Sequence, residues 1–303
     1  MKTKKILSFL LVIMLFTLSF STLIAAEPDI NYTPRYKYKE LSTGIKMSYV
    51  ELGDKDGEPL VLIHGATDSY VSFSQVGAYL ADMGYHVYIP ELRGHGKTSK
   101  PENVEYTMAL HAEDIDSWMT KIKLENAHFV GHSLGSFVVQ ELAIAYPDRV
   151  MSMTLIASSN TVVDNPVFAW MLEGDEEFPG LINFGGEIPA EFAEEWTVSD
   201  NRDEDFIKYT YKNALKLPYH VWINVFSNMD ADNSERLNSV TVPTLIIWGS
   251  LDDLFPIDQQ FALIESLSSA DVTFIKINGA GHNVHWSGEA GVDIAQYIAE
   301  FIK

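Results

Sequence analysis

The chain has 303 residues, 47% of them hydrophobic and 21% charged, which is the balance of a globular protein with one large domain or two small ones. Its formal net charge of −21 argues against nucleic acid and anionic membrane as partners, and no local basic pocket is visible that would suit an anionic substrate. It contains no cysteine, which excludes disulfides and lipidation at cysteine.

The first residues stand apart. Lys2, Lys4 and Lys5 precede an apolar run over residues 6–18, and the small residues Ser21, Thr22, Ala25 and Ala26 follow. This is the layout of a secretory signal peptide over residues 1–26, cleaved after Ala26 with Ile24 at the third position back. The run is short for a membrane span, so cleavage is expected in preference to a retained anchor. The expectation is a protein exported to the periplasm or beyond, with no membrane association after cleavage. Export without disulfides points to a bacterial source and a core that needs no staples. Loss of the three leader lysines takes the charge from −21 to −24, read as a solvated acidic surface.

Residues 27–39 are polar and interrupted by proline, and read as an extended lead-in. Residues 45–51 alternate, with Ile45, Met47 and Tyr49 against Lys46 and Ser48, which predicts a half-exposed strand. After the turn at residues 53–57 come an apolar strand over 60–63, a helix over 71–83, a strand over 86–89 and a long amphipathic helix over 106–122. A buried strand over 126–130, a helix over 134–146 stopping before Pro147, and a strand over 150–156 follow. Buried strands alternating with helices predict a mostly parallel sheet covered on both faces, with ligands at the carboxyl ends of the strands.

The rhythm breaks between Ser158 and about Thr241, which is too long for a bare loop. That stretch is acidic and carries Phe168, Trp170, Phe178, Trp196, Tyr209, Tyr211, Tyr219, Trp222 and Phe226. It reads as a helical cap over residues 158–241, inserted after the sixth strand, with most aromatics forming its own small core and some facing the cleft. A core of residues 27–157 and 242–303 surrounds it. Beyond it come a strand over 243–248, a helix over 256–267, a strand over 272–277 and a closing helix over 291–302.

Gly131-His132-Ser133-Leu134-Gly135 sits between a strand and a helix. A serine there occupies a sharp turn with strained backbone angles, so its neighbours must be small, and the helix N-terminus favours negative charge nearby. A serine hydroxyl needs a base, and the base an orienting carboxylate. Asp252 and His282 both follow strand ends, in the order Ser, Asp, His.

From Leu41 onward the chain resembles the α/β-hydrolase superfamily, in particular its lidded esterase, lactonase and haloperoxidase-like branch. The matching stretches are Leu60-Val61-Leu62-Ile63-His64-Gly65, Leu92-Arg93-Gly94-His95-Gly96, the serine pentapeptide, Gly249-Ser250-Leu251-Asp252 with Pro256 after it, and Gly281-His282. The resemblance implies an α/β-hydrolase fold in which Ser133 is the nucleophile, His282 the general base and then acid, and Asp252 the orienting acid. It selects Asp252 over the adjacent Asp253, whose ordinary role is charge at a helix N-terminus. His282 directly follows a flexible glycine turn and is preferred to His285, which should point elsewhere. An oxyanion hole is expected from the backbone N–H groups of Leu134 and Ala66. His64 should fix the loop that carries Ala66, and His132 should serve packing or hydrogen bonding. Arg93 reads as a turn residue bridging nearby backbone, and His111 as a surface or partly buried residue.

No metal site is expected, for lack of paired-histidine or calcium-loop spacing, and no cofactor, for lack of a dinucleotide fingerprint. Serine at the elbow disfavours the dehalogenase and epoxide-hydrolase chemistry that uses aspartate there. The expected function is hydrolysis of a carboxylic ester or lactone, a small and apolar substrate, through an acyl-enzyme. The alternatives are haloperoxidase-like or perhydrolase chemistry, C–C bond hydrolysis, or a non-catalytic binding role on the same fold.

Overall fold

The computed structural model describes residues 28–197, 203–229, 231–286 and 288–303. The leader expected over residues 1–26 lies outside them. Eight strands among the described residues form one sheet: β1 (Lys37–Glu40), β2 (Lys46–Leu52), β3 (Pro59–Ile63), β4 (His86–Pro90), β5 (Ala127–His132), β6 (Val150–Ile156), β7 (Thr244–Gly249) and β8 (Val272–Ile277). Their spatial order is β1-β2-β4-β3-β5-β6-β7-β8. β1 pairs antiparallel with β2, and β2 with β4, while every later pairing is parallel. The mostly parallel sheet read from the sequence is therefore present. β1 corrects the lead-in, which is extended but ends as a paired edge strand from Lys37↔Tyr49 to Glu40↔Lys46. An edge strand needs one partner and buries little, so its polar residues concealed it.

Side-chain alternation divides the core into two layers. Leu60 and Leu62 of β3 pack with Val87, Ile89, Val130, Leu245 and Ile247. That layer is covered by α1 (Ser74–Asp82) and α9 (Gly288–Phe301) through Val76, Leu80, Ile294 and Ile298. Val61 and Ile63 belong to the opposite layer with Phe129 and Ile246. It is covered by α2 (Met108–Ile122), α3 (Leu134–Ala145) and α8 (Ile257–Ser266) through Ile115, Trp118, Phe137, Val138 and Leu263. Each such fully buried apolar side chain contributes about 2–3 kcal/mol. Local signals set the helix ends: α2 starts after Thr107, whose hydroxyl accepts from Leu110 N–H at 3.2 Å, two residues later than periodicity alone predicts.

β2 is less exposed than its alternation predicts. Ser48 is fully buried, and its hydroxyl donates to Glu91 at 2.7 Å. A polar residue in alternation marks solvent only when nothing polar packs against it. Here the buried Glu91 does, so the alternating pattern misleads.

Between β6 and β7 the chain forms α4 (Pro166–Glu173), α5 (Ala190–Trp196), α6 (Glu204–Leu215) and α7 (Tyr219–Ser227). Phe178, Phe184, Phe192, Trp196, Trp222 and Phe226 form a continuous set of stacked and edge-on rings with centroids 5.2–6.3 Å apart. Among the described residues no helix is long and apolar enough to cross a membrane.

Candidate active site

The carboxyl ends of β3, β5, β7 and β8 meet at one cavity of about 230 Å³. Ala66, Asp68, His132, Ser133, His282 and Asn283 form its polar side. Val167, Phe168, Met171, Trp196, Phe226, Met229, Leu254 and Trp286 form its apolar side. Phe168, Trp196 and Phe226 are thus the aromatics of the helical segment that face the cleft, while Trp222 is buried inside that segment.

Ser133 links β5 to α3 with φ 49° and ψ −118°, a left-handed backbone that costs a non-glycine residue about 1–3 kcal/mol. Surrounding contacts impose it: Ser133 N–H donates to Ile156 O at 3.0 Å, and its carbonyl accepts from Ser136 N–H at 2.8 Å. The flanking glycines permit it. A Cβ on Gly131 would lie 2.4 Å from Gly135 O, and one on Gly135 would lie 2.2 Å from Ile63 O. Leu134 opens α3, so its N–H has no acceptor within the helix.

Asp252 and His282 face each other across the loops after β7 and β8. His282 Nδ1 lies 3.0 and 3.1 Å from the two Asp252 carboxylate oxygens. Asp252 is 3% exposed, and its Oδ1 also accepts from Leu254 N–H at 3.0 Å and Phe255 N–H at 3.1 Å. The two loops are laced together: Leu251 N–H reaches Ala280 O at 2.8 Å, and a Cβ on Gly249 would lie 2.3 Å from Gly281 O. Asp253 is exposed and makes none of these bonds. Among the described residues Ser133 Oγ donates no hydrogen bond to the His282 ring. Such contacts are often long without a bound substrate and tighten with one.

The loop after β3 is pinned by two neutral histidines. His64 Nε2 accepts from Leu92 N–H at 3.0 Å, which leaves Nδ1–H to donate to Gly65 O at 2.8 Å. That carbonyl shares a peptide plane with Ala66 N–H, so the bond aims the N–H the opposite way. His95 Nε2 accepts from Thr67 N–H at 3.0 Å while Nδ1–H donates to Arg93 O at 2.9 Å. Burial pushes His64 down to about 4 and His95 well below its ordinary range, so both remain neutral near pH 7. His64 therefore does fix the Ala66 loop.

His132 packs behind the site, its Nε2 3.2 Å from His282 O and its ring 4.3 Å from the His285 ring. Burial, with His285 and His282 adding to it, holds His132 well below the usual histidine range. His285 is buried against Phe73 and does not meet Asp252. Asp68 lies beside His132, with 3.9 Å from Oδ2 to Nδ1, and burial pushes its carboxyl up to about 8.

Residues 58–289 match the family described as the alpha/beta hydrolase fold. The chain belongs to the α/β-hydrolase family. The hydrolase is 27% identical over 256 residues to Lipase 1 of Psychrobacter immobilis, a match spanning 80% of this chain and 76% of that protein. It is also 27% identical over 266 residues to a putative non-heme chloroperoxidase of Synechocystis, spanning 82% of this chain and 92% of that one. Its fold superposes on a hydrolase from Pseudomonas aeruginosa with a TM-score of 0.76 at 20% identity, covering 89% of this chain and 99% of that one.

Two readings of the hydrolase's sequence need correction. Arg93 does not bridge backbone: its guanidinium makes a bidentate pair with Asp114 of α2, at 2.8 Å from Nε and 2.6 Å from Nη2, with both side chains buried. His111 is not near the surface but fully buried, with its ring edge-on to Tyr106. Sequence reasoning also passed over Glu91. It is fully buried and accepts from Ser48 and Tyr36 hydroxyls and from Tyr70 and Lys97 N–H groups, joining four segments below the site. Its only sequence signal is a carboxylate directly after a buried strand.

Proposed function

We propose that the hydrolase is an exported serine hydrolase that cleaves a carboxylic ester or lactone. The observation that carries this is the joint opening of Ser133 and His282 onto one largely apolar cavity, with His282 held by a buried Asp252. In this reading Asp252 accepts a hydrogen bond from His282 Nδ1–H, which holds that tautomer and keeps the Nε2 lone pair free. His282 removes the Ser133 hydroxyl proton as Oγ attacks the carbonyl carbon. The oxyanion meets the N–H groups of Leu134 and Ala66. Collapse expels the alcohol, protonated by His282, and leaves an acyl-enzyme that water hydrolyses by the same steps. Residues 158–241 act as the cap, whose apolar wall receives the acyl or alcohol chain. The likeness to lipases supports an ester substrate. The leader-like residues 1–26 support export.

A second reading has one observation in its favour, the likeness to a putative non-heme chloroperoxidase. In it hydrogen peroxide replaces water at the acyl-enzyme and releases a peracid. Dependence of halide oxidation on both peroxide and a short-chain acid distinguishes it.

The test is hydrolysis of a chain-length series of chromogenic esters beside Ser133→Ala. Loss of at least about 10³-fold in kcat, with circular dichroism unchanged, is expected. Equal activity in the two proteins removes Ser133 from the chemistry. The chain-length optimum measures the cavity.

A further inference from the structure

The helical segment touches the strand-end loops at a chemically pointed place. Thr67, directly after Ala66, has φ 62° and is buried. A β-branched residue avoids that left-handed conformation unless its surroundings impose it. Three bonds do so. Thr67 N–H donates to His95 Nε2 at 3.0 Å, its hydroxyl donates to Ala66 O at 2.6 Å, and the same oxygen accepts the Trp196 indole N–H at 2.7 Å. Trp196 is the last residue of α5, and its ring is fixed by Trp222 and Phe226 at centroid distances of 5.9 and 5.5 Å. Two residues beyond Thr67, Ser69 Oγ accepts from Asn213 Nδ2 of α6 at 2.9 Å.

A hydroxyl has one hydrogen, and a donor on its oxygen forces that hydrogen elsewhere. The Trp196 N–H thus directs the Thr67 proton to Ala66 O. Both peptide planes flanking Ala66 are then held, one by His64 from the sheet side and one by Thr67 under the control of the helical segment. The same indole also lines the cavity.

We infer that Trp196 is a positioning residue, whose indole N–H locks Thr67 and so aims the Ala66 N–H at the reacting carbonyl oxygen, coupling closure of the helical segment to the oxyanion hole. The inference rests on the ester-hydrolase reading. It assigns Trp196 two tasks at once, an apolar wall through the ring and loop control through the N–H, and these can be separated.

Trp196→Phe removes the donor and keeps an aromatic, though smaller, ring in the wall. With a short chromogenic ester, kcat should fall about tenfold while KM stays within about twofold. Affinity for a trifluoromethyl ketone, which forms an oxyanion adduct with the serine, should fall in parallel, and affinity for the product acid should not change. Thr67→Val should match Trp196→Phe, Thr67→Ser should recover most of the loss, and the double variant Trp196→Phe/Thr67→Val should be no worse than Thr67→Val. If Thr67→Val does not fold, the kcat and ketone affinity of Trp196→Phe decide alone. An unchanged kcat in Trp196→Phe, a loss confined to KM, or additive effects overturn the inference. Wild-type protein that hydrolyses neither ester nor lactone overturns the functional reading together with it, whereas active wild type beside an unimpaired Trp196→Phe overturns the inference alone.

Discussion

The floor and the roof of the cavity are built by different physics. The floor is polar and bonded: Asp252, His64, His95 and Thr67 are all buried, and each is held by bonds to backbone or to a partner side chain. The roof is rings and aliphatic chains, with Phe168, Met171, Phe226 and Met229 held by packing. Directional bonds fix atoms to within tenths of an ångström, which charge stabilisation at a transition state requires. Dispersion and apolar burial are non-directional and tolerate exchange of one side chain for another of similar volume. On the proposed reading, chemistry belongs to the floor and substrate choice to the roof, and Trp196 is where the two meet.

The contrast can be broken most severely at the floor. Asp252→Asn should lower kcat by about 10³- to 10⁴-fold with circular dichroism preserved, because the amide offers no carboxylate to the His282 Nδ1–H. Retention of more than about a tenth of the wild-type rate would remove Asp252 from the orienting role. Arg93→Ala comes next. It leaves Asp114 as an uncompensated buried carboxylate and should destabilise the fold by about 3–5 kcal/mol, read as a shift of the urea midpoint at constant slope. A shift below about 1 kcal/mol would mean the pair is structurally idle.

A smaller effect sharpens the picture of a neutral, desolvated floor. Burial pushes His64 down to about 4 and His111 and His285 down to about 3, against an ordinary 6.5. The unfolded chain binds these protons first as pH falls, so their contribution to stability is intact above about 6.5 and is lost on acidification toward about 4 and 3. Each site adds about 1.4 kcal/mol per pH unit to the acid limb within its window. His111→Phe should remove one such increment, measured as a shallower decline of Tm between pH 6 and pH 4 relative to wild type. An identical decline would show that His111 is protonated in the folded protein. Asp68 works with the opposite sign. Its carboxyl is raised from 3.8 to about 8, so the folded form keeps a proton that the unfolded chain gives up, and its contribution falls as pH rises across that interval.

The least effect is expected from the roof. Phe226→Ala should shift the preferred ester to a longer acyl chain while kcat on the best substrate stays within a few-fold, since the ring lines the cavity but bonds to nothing in the floor. An unchanged chain-length profile would place the acyl chain elsewhere.

Much of the floor was legible because local chemistry demands it. A serine on a strained turn needs Gly131 and Gly135, and apolar strands separated by helical periodicity announce a parallel sheet. The order of Ser133, Asp252 and His282 along strand ends was readable from the same pattern. The roof was legible only as a break in rhythm, acidic and aromatic. Which aromatics face the cleft is settled by neighbours more than a hundred residues away, as with Trp196 and Thr67.

What the sequence by itself determined is what short-range rules govern: element order, the alternation of layers, the turn at Ser133, and the convergence of strand ends on one edge. What only the tertiary structure decided is burial and partnership. Ser48 sat in a half-exposed pattern until Glu91 met it, Arg93 looked like a turn residue until Asp114 met it, and His111 read as surface or partly buried until the fold buried it against Tyr106. The physical reason is that desolvation and hydrogen bonding depend on atoms brought together from distant positions, which no local pattern of residues records.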